Sequence, residues 1–343
     1  MKRFKLHILA LATLLLGACD VFDLESDNGY IRFAPTGLSV EESGSRAPIE
    51  AIDSSFGVLG YCLANYGNTT DLDNNTGDAH WEEKYTRSRP HIFYKKEVGA
   101  NGTYTNAVKW LNSRYHYTFF AYYPYNANLT VTSGESTLGA PTMSLTMPNT
   151  TNPAEIPDAM VATAIDATEM TGNVQLHFRH LLSGIQVRVR NYDSPSLVIN
   201  SATLSGTFIK SANITFNTDG TFNTTTSGTQ NVTYNLASGV DVSTATSAAR
   251  VENLGIPVML LGNSTTKLGS NLTLTVNYTH QGTNTVSKSQ PFTIEFPADF
   301  SPQAGVIYTF ELQFINNAMT LNLMLQNNEP WQEDEGNKDI TFE

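Results

Sequence analysis

Apolar and polar residues alternate along much of the chain in runs of strand length. Residues 185–190 (IQVRVR) and 272–277 (LTLTVN) place an apolar side chain at every second position, which predicts strands with one buried and one wet face. Residues 56–63 (FGVLGYCL) are apolar throughout, which is typical of a strand buried on both faces. Further strand-like runs are 29–35, 115–127, 173–192, 272–280, 291–297, 305–314 and 319–325. Many strands with turn-rich joins predict an all-β protein made of sandwich-like domains.

The helical signal is weak, and it falls where a connection between two domains is expected. Residues 153–168 (PAEIPDAMVATAIDAT) are long enough for a turn or two of helix. We place the boundary near residue 168, with the first domain at 47–168 and the second at 169–318. Two stretches are interpreted as loop-rich surface, namely 64–114 and 193–250.

Charge limits the partners that the chain can bind. The 343 residues are enough for two domains with buried cores, and the formal net charge is −12 without any basic stretch after the first five residues. Such a chain repels phosphates, which excludes nucleic acid as a partner.

The first residues predict export. A basic start (MKRFK) precedes an apolar run at 6–18 that is too short to span a bilayer, and Cys19 follows at once in the frame LGAC. This resembles a bacterial lipobox, so residues 1–18 are predicted to be a lipoprotein signal peptide and Cys19 the lipidated residue. The alternative is an ordinary secretory signal with an incidental cysteine. If Cys19 is acylated, Cys62 has no disulfide partner and is expected to pack as a small apolar residue.

The motifs of common enzymes are missing from the sequence, so we predict no catalytic activity. It has no phosphate loop, no Gly-x-Ser-x-Gly elbow, no paired-cysteine metal spacing and no His-Glu-x-x-His helix. The aromatic run YHYTFFAYYPY (115–125) is either a sugar-stacking platform or core, and core is favoured because so dense a cluster is buried by default.

One loop carries calcium-type spacing. Asp71, Asp73 and Asn75 alternate, and Glu82 is the twelfth residue counted from Asp71, as in an EF-hand loop. Thr76 stands where the sharp turn needs glycine, so a polar surface loop is the alternative. Calcium is the one candidate cofactor besides the lipid on Cys19.

The ordered series of short stretches resembles a known family. A lipobox, SRAP (45–48), FGVLGY, YTFFAYYPY, LHFRHLLSGIQVRV, GVIYTFELQF and a late EPWQ together resemble the fimbrillin, or Mfa-like, family of type V pilus subunits and related adhesins. The resemblance implies two transthyretin-like β-sandwich domains in tandem, exported as a lipoprotein. It also implies that an arginine-specific protease removes the lipidated segment with its first strand. The groove that opens then accepts an extended C-terminal segment of the next subunit.

In this sequence the resemblance implies a cut between Arg46 and Ala47, which makes residues 19–46 a lipid-anchored propeptide. The alternative cut sites are Arg87, Arg89 and Arg114. The donor strand lies within residues 319–343, where apolar side chains alternate with others: Met319, Leu321, Leu323 and Leu325. The same strand is also what an ordinary last strand of a sandwich looks like.

The function expected from these observations is that of a fimbrial structural subunit or accessory adhesin in cell adhesion. Its expected partners are other pilus subunits in a homo- or hetero-polymer, the outer membrane through the lipid before processing, and a host or bacterial surface ligand. The expected location is the cell surface, first as an outer-membrane lipoprotein precursor and then in the fimbrium. The alternative is a permanently lipid-anchored surface module that binds glycans or proteins.

Overall fold

The chain folds almost entirely into β-strands. The computed structural model describes residues 29–36, 52–63, 79–111, 115–192, 196–243, 250–262, 272–281, 285–294 and 302–327. Within these ranges there are eighteen strands, one four-residue α-helix and three short 3-10 helices. The predicted all-β class is confirmed.

The short helices all lie among the first nine strands. These strands are β1 (Phe33–Thr36), β2 (Phe56–Leu63), β3 (Phe93–Val98), β4 (His116–Tyr123), β5 (Leu129–Val131), β6 (Thr142–Thr146), β7 (Met160–Ala167), β8 (Val174–His177) and β9 (Arg179–His180). The α-helix α1 is Trp81–Lys84, and the 3-10 helices are Tyr85–Arg87, Pro153–Glu155 and Glu169–Thr171. Of the connection expected at 153–168, one 3-10 turn is present, and its second half is strand β7.

The other nine strands include the longest in the molecule. They are β10 (Leu182–Asn191), β11 (Leu197–Phe216), β12 (Phe222–Asp241), β13 (Arg250–Asn253), β14 (Val258–Leu261), β15 (Leu272–Gln281), β16 (Thr285–Ile294), β17 (Ile307–Ile315) and β18 (Ala318–Asn327). All the strand-like runs in the sequence contain a strand.

One five-stranded sheet has the order β3-β2-β4-β7-β9 and is covered on both sides. All eight residues of β2 are buried, as its unbroken apolar run predicts, and so are seven of the eight in β4. Alternate residues enter two different cores: Phe56, Val58 and Phe119 pack into one, whereas Leu59 and Phe120 pack into the other. The aromatic run of β4 is therefore core, as predicted.

A six-stranded sheet is organised around the long strand β11, with the order β16-β15-β11-β6-β5 and with β12 also paired to β11. The first half of β11 pairs with β15 over Leu197–Ser205, and the second half pairs with β6 over Ser211–Thr215. The prediction that 193–250 is loop-rich is wrong, since β11 and β12 are each twenty residues long. Their threonines suit a strand because β-branched side chains pack well on a pleated surface.

The third large sheet has the order β13-β10-β17-β18, with β14 also paired to β10. Ile185, Val187 and Val189 of β10 are buried on one face, which confirms the period-2 prediction. The other face is less wet than predicted. Gln186 is 7% exposed, because its amide donates to the carbonyls of Val187 and Gly255 at 2.9 and 3.2 Å.

Residue 168, where we expect a domain boundary, lies in the turn between β7 and β8. The two strands that follow residue 168 pair with strands that precede it, β8 with β1 and β9 with β7. Strand β11 pairs with β6 from before residue 168 and with β15 from after it. One of the two apolar cores also contains residues from both sides of that position.

Candidate functional site

Residues 29–36, which include β1, lie in a groove between residues 102–110 on one side and β8 on the other. On the first side the amide of Ile31 donates to the carbonyl of Val108 at 2.8 Å, and the amide of Trp110 donates to the carbonyl of Gly29 at 2.7 Å. On the second side β1 runs parallel to β8, with Phe33 opposite Val174. The segment is therefore held by main-chain hydrogen bonds along both edges, as an inserted strand would be.

The side chains of this segment fill a pocket lined with aromatic rings. Ile31 and Phe33 are buried, with exposed fractions of 0% and 3%. The ring of Phe33 lies 5.3 Å from that of Phe119 and 6.0 Å from that of Phe93, both in edge-to-face contacts. The hydroxyl of Tyr104 closes the pocket by donating to the carbonyl of Ile31 at 2.8 Å.

At Gly102 the main chain of the groove lies directly against that of the segment. A Cβ atom at this position would lie 1.7 Å from the carbonyl oxygen of Phe33, and the φ of Gly102 is +78°. Only glycine permits both the left-handed backbone and this approach of two main chains.

The predicted donor segment begins in β18, which pairs antiparallel with β17 of the same chain at the edge of its sheet. Met319 is 2% exposed, and Leu321 is partly buried against the core. The pairing of β17 with β18 is irregular at one place: Glu311 is opposite Asn322, but Thr309, two residues earlier, is opposite Gln326. The backbone of Leu323 and Leu325 lies within this irregular part of β18. Met319 and Leu321 thus lie together on the buried side of an edge strand.

Most of the other predicted site residues lie outside the described residues. These are Cys19, Arg46, Ala47, Asp71, Asp73 and Asn75. Glu82, the last of the predicted calcium ligands, is described and is exposed in the first turn of α1. Cys62 is 3% exposed, as expected for a small apolar residue, and burial raises the pKa of its thiol to about 11.

Sequence reasoning missed a cluster of three side chains that the fold brings together. His80, His116 and Asp166 each offer a ligand atom, and these atoms all lie within 4.8 Å of one another. The Nδ1 atom of His80 is 3.1 Å from Oδ2 of Asp166, and the two imidazole rings are 4.2 Å apart. Long sequence separations hide this cluster, since the three residues come from the segment before α1, from β4 and from β7.

A buried carboxylate lies between β10 and β17. Glu311 is 1% exposed and binds the guanidinium groups of Arg188 at 2.7 Å and Arg190 at 2.8 Å, with the amide of Gln313 at 3.1 Å. Burial raises the pKa of Glu311, but the hydrogen bonds from Arg190 and Gln313 and the two arginine charges outweigh it. The net result is a pKa below the ordinary value. These ion pairs add a side-chain link between two parallel strands that their backbone ladder already joins.

None of the helices in the described part of the chain has the length and apolar character that a membrane-spanning helix needs.

The chain is similar to several proteins of solved structure. A fimbrial protein from Bacteroides vulgatus has a similar fold, with a TM-score of 0.57 at 20% identity over 86% of this chain and 98% of that one. A candidate cell adhesion protein from Bacteroides uniformis gives a TM-score of 0.47 at 14% identity, over 86% of this chain and 97% of that one. The fimbrial anchor protein Mfa2 from Porphyromonas gingivalis gives a TM-score of 0.32 at 13% identity, over 86% of this chain and 93% of that one.

Comparison with curated protein sequences gives no match. The family model described as fimbrillin-like matches residues 64–328, which is more than half of the sequence. The chain therefore belongs to the fimbrillin-like family.

Proposed function

We propose that this protein is a fimbrial subunit or accessory adhesin that acts at the cell surface and associates with other pilus subunits. It is exported as a lipoprotein anchored through Cys19, is cut between Arg46 and Ala47, and assembles by donor-strand exchange. Membership in the fimbrillin-like family supports the fimbrial role. The observation that carries the assembly step is the segment at 29–36, which occupies a groove and lies upstream of the proposed cut.

Loss of that segment would leave a strong template for another strand. The carbonyl of Val108 and the amides of Trp110 and Val174 bond to residues 29–32, so their hydrogen bonds would be lost with it. Burial of Ile31 and Phe33 contributes about 3–6 kcal/mol, taken as about 1.5–3 kcal/mol for each side chain. A groove with unpaired main-chain groups and exposed apolar surface binds an incoming extended segment by strand addition.

The ligand that this groove selects is an extended peptide with apolar side chains two residues apart, in the spacing of Ile31 and Phe33. Met319 and Leu321 have that spacing, and the sequence continues it at Leu323 and Leu325. Within its own chain β18 is paired with β17, and the carbonyl of Met319 accepts a hydrogen bond from Gln290 at 3.1 Å. For residues 319–343 to act as a donor strand, β18 must separate from β17. The hydrogen bonds lost in this way would be offset by those formed in the groove of the next subunit.

The direct test is the N-terminal residue and intact mass of the protein taken from the cell surface. A chain that begins at Ala47 supports processing, and a chain that begins at acylated Cys19 refutes it and favours the permanently anchored surface module. Arg46→Ala should abolish the cut. The control is Arg87→Ala, because Arg87 is an exposed arginine at which the proposal places no cut.

The exchange step needs its own measurement. After cleavage at Arg46, a synthetic peptide of residues 319–343 should displace the 19–46 segment, which can be followed by the mass of the peptide that stays bound. A peptide with Leu321→Asn and Leu323→Asn should bind much more weakly, since both carry the apolar face. Equal binding of the two peptides would refute the donor assignment while leaving the cleavage result unaffected.

A further inference from the structure

We propose that His80, His116 and Asp166 form a binding site for a divalent transition-metal cation of the zinc type. This site is independent of the proposed fimbrial function. It is also distinct from the calcium loop predicted at 71–82, because its side chains offer two imidazole nitrogens and one carboxylate. Imidazole nitrogens favour zinc and its neighbours over calcium and magnesium, which prefer oxygen ligands.

The distances suit a small cation after a modest closure. The ligand atoms lie within 4.8 Å of one another, and the pair formed by His80 Nδ1 and Asp166 Oδ2 is at 3.1 Å. Tetrahedral zinc, with bonds of about 2.0–2.1 Å, holds its ligands about 3.3–3.4 Å apart. The His80 and Asp166 atoms are already near that spacing, so the required movement is mainly that of the His116 ring. Three protein ligands leave the fourth position to water.

Asp166 is aimed at the site by a bulge in the backbone. Tyr117 pairs with Ala167 but Phe119 pairs with Ala164, so β7 has one more residue than β4 at this point. The φ of Asp166 is +53°, and its amide donates to the hydroxyl of the buried Thr118 at 3.3 Å. Bulges of this kind redirect a side chain that a regular strand would send elsewhere.

The second carboxylate oxygen of Asp166 is already fixed. Its Oδ1 accepts a hydrogen bond from the amide of Trp81 at 2.8 Å, and Trp81 is fully buried against Tyr61 and Phe120. Oδ2 is therefore held in place and is free to exchange its hydrogen bond with His80 for a bond to a metal. Outer hydrogen bonds of this kind are what orient metal ligands in known sites.

His116 carries a further observation that points to a ligand. Its Nδ1 atom is buried and has no hydrogen-bond partner among the described residues. A buried polar atom without a partner costs free energy, and a cation, or a water bound to that cation, would satisfy it. The centre of the same ring is 4.2 Å from that of His80, so one ion can contact both imidazoles.

The test is zinc binding by the full-length protein without a polyhistidine tag, after treatment with a chelator. When zinc chloride is titrated in calorimetry, we expect one zinc ion to bind per protein chain. At about 100 times its dissociation constant it should raise the melting temperature by about 3–6 °C, because a ligand of the folded state stabilises it. Calcium chloride should give no such shift through this site. Absence of zinc binding to the wild-type protein would overturn the proposal.

Asp166→Asn is the most informative variant. Asparagine tolerates the positive φ and still accepts from the Trp81 amide, but it loses the charged ligand oxygen. The metal-free melting temperature should stay close to that of the wild type, whereas the zinc-dependent rise should disappear. If this variant fails to fold, His80→Asn replaces it, since the side chain of His80 is 51% exposed.

The matched control is His91→Asn. His91 also has a buried ring nitrogen without a hydrogen-bond partner in the described part of the chain, yet it belongs to no such cluster. This variant should keep the full zinc-dependent shift. A shift that survives in Asp166→Asn, or that is lost in His91→Asn, would show that zinc binds elsewhere and would refute the assignment.

Discussion

Replacement of Gly102 by alanine should release residues 29–36 from their groove while the rest of the fold stays intact. The added Cβ would meet the carbonyl oxygen of Phe33 at 1.7 Å, closer than any non-bonded carbon and oxygen can approach. The contacting atom belongs to the main chain, so a rotamer change cannot relieve the clash. The segment must move away by more than an ångström, and the bond from the Phe33 amide to the Gly102 carbonyl is then lost.

The size of the effect follows from what the segment buries. Ile31 and Phe33 contribute about 3–6 kcal/mol at about 1.5–3 kcal/mol each, and each main-chain hydrogen bond adds about 0.5–1.5 kcal/mol. Loss of about 3 kcal/mol of this docking free energy raises the open fraction of the segment about 100-fold. A second cost, about 1–2 kcal/mol, comes from the left-handed φ that alanine must adopt.

The assay is limited trypsin digestion, with cleavage after Arg32 as the signal for an open segment. The control is Gly139→Ala, because Gly139 also has a positive φ, +96°, but a Cβ there meets nothing within 4 Å. Both variants bear the backbone strain, and only Gly102→Ala bears the clash. We expect much faster cleavage at Arg32 in Gly102→Ala alone. Equal rates in the two variants would mean that the close approach at Gly102 does not hold the segment in place.

Two further predictions concern buried ionisable groups. The folded state lowers the pKa of Glu311, so its stabilising contribution is present above the unfolded pKa of about 4.3 and is lost as the pH falls through the lower folded value. Glu311→Gln should therefore lower the free energy of unfolding by about 3 kcal/mol at pH 7, because Arg188 and Arg190 lose their charged partner. Urea unfolding measured from pH 7 to pH 3 should show a smaller loss of stability with acid in this variant than in the wild type. Burial raises the pKa of the Cys62 thiol to about 11, so Cys62 should not react with a thiol reagent at pH 8 until the protein is unfolded in urea. The measurement uses the Cys19→Ala variant, in which Cys62 is the one remaining cysteine. Fast reaction in the folded state would contradict its burial.

Local patterns in the sequence predicted which residues are buried. Hydrophobic patterns predict burial because they reflect which faces of a strand are packed against other parts of the protein. This held for the unbroken apolar run of β2, the aromatic run of β4 and the period-2 patterns of β10 and β15. The same reasoning failed for 193–250. Thr, Ser and Asn are common in turns, but in β11 and in residues 232–236 of β12 they occupy the more exposed positions between buried apolar residues.

Strand partners could not be predicted from such patterns. The pairing of β1 with β8 joins residues 141 positions apart, as in the bond between Thr36 and His177, and no local signal specifies it. The cluster of His80, His116 and Asp166 depends on a one-residue bulge in β7, and a bulge is set by how two strands meet rather than by the composition of either. His177 and His180 show the converse: they are close in sequence, but the fold directs them to different partners, Thr36 and Asp158.

The position of β1 indicates that its proposed removal would leave the subunit folded. Its hydrogen-bonded partner strand is β8, and the two form a sheet of their own, whereas the three large sheets contain no part of residues 29–36. The main ladders of β11 with β12 and β15, and of β10 with β17, would remain whole. What the segment supplies is the cover of one apolar core, through Ile31 and Phe33. A cover that lies outside the three large sheets is replaceable by another strand of similar pattern. Strand β4 is not, because it lies between β2 and β7 within a five-stranded sheet whose ladders its removal would break.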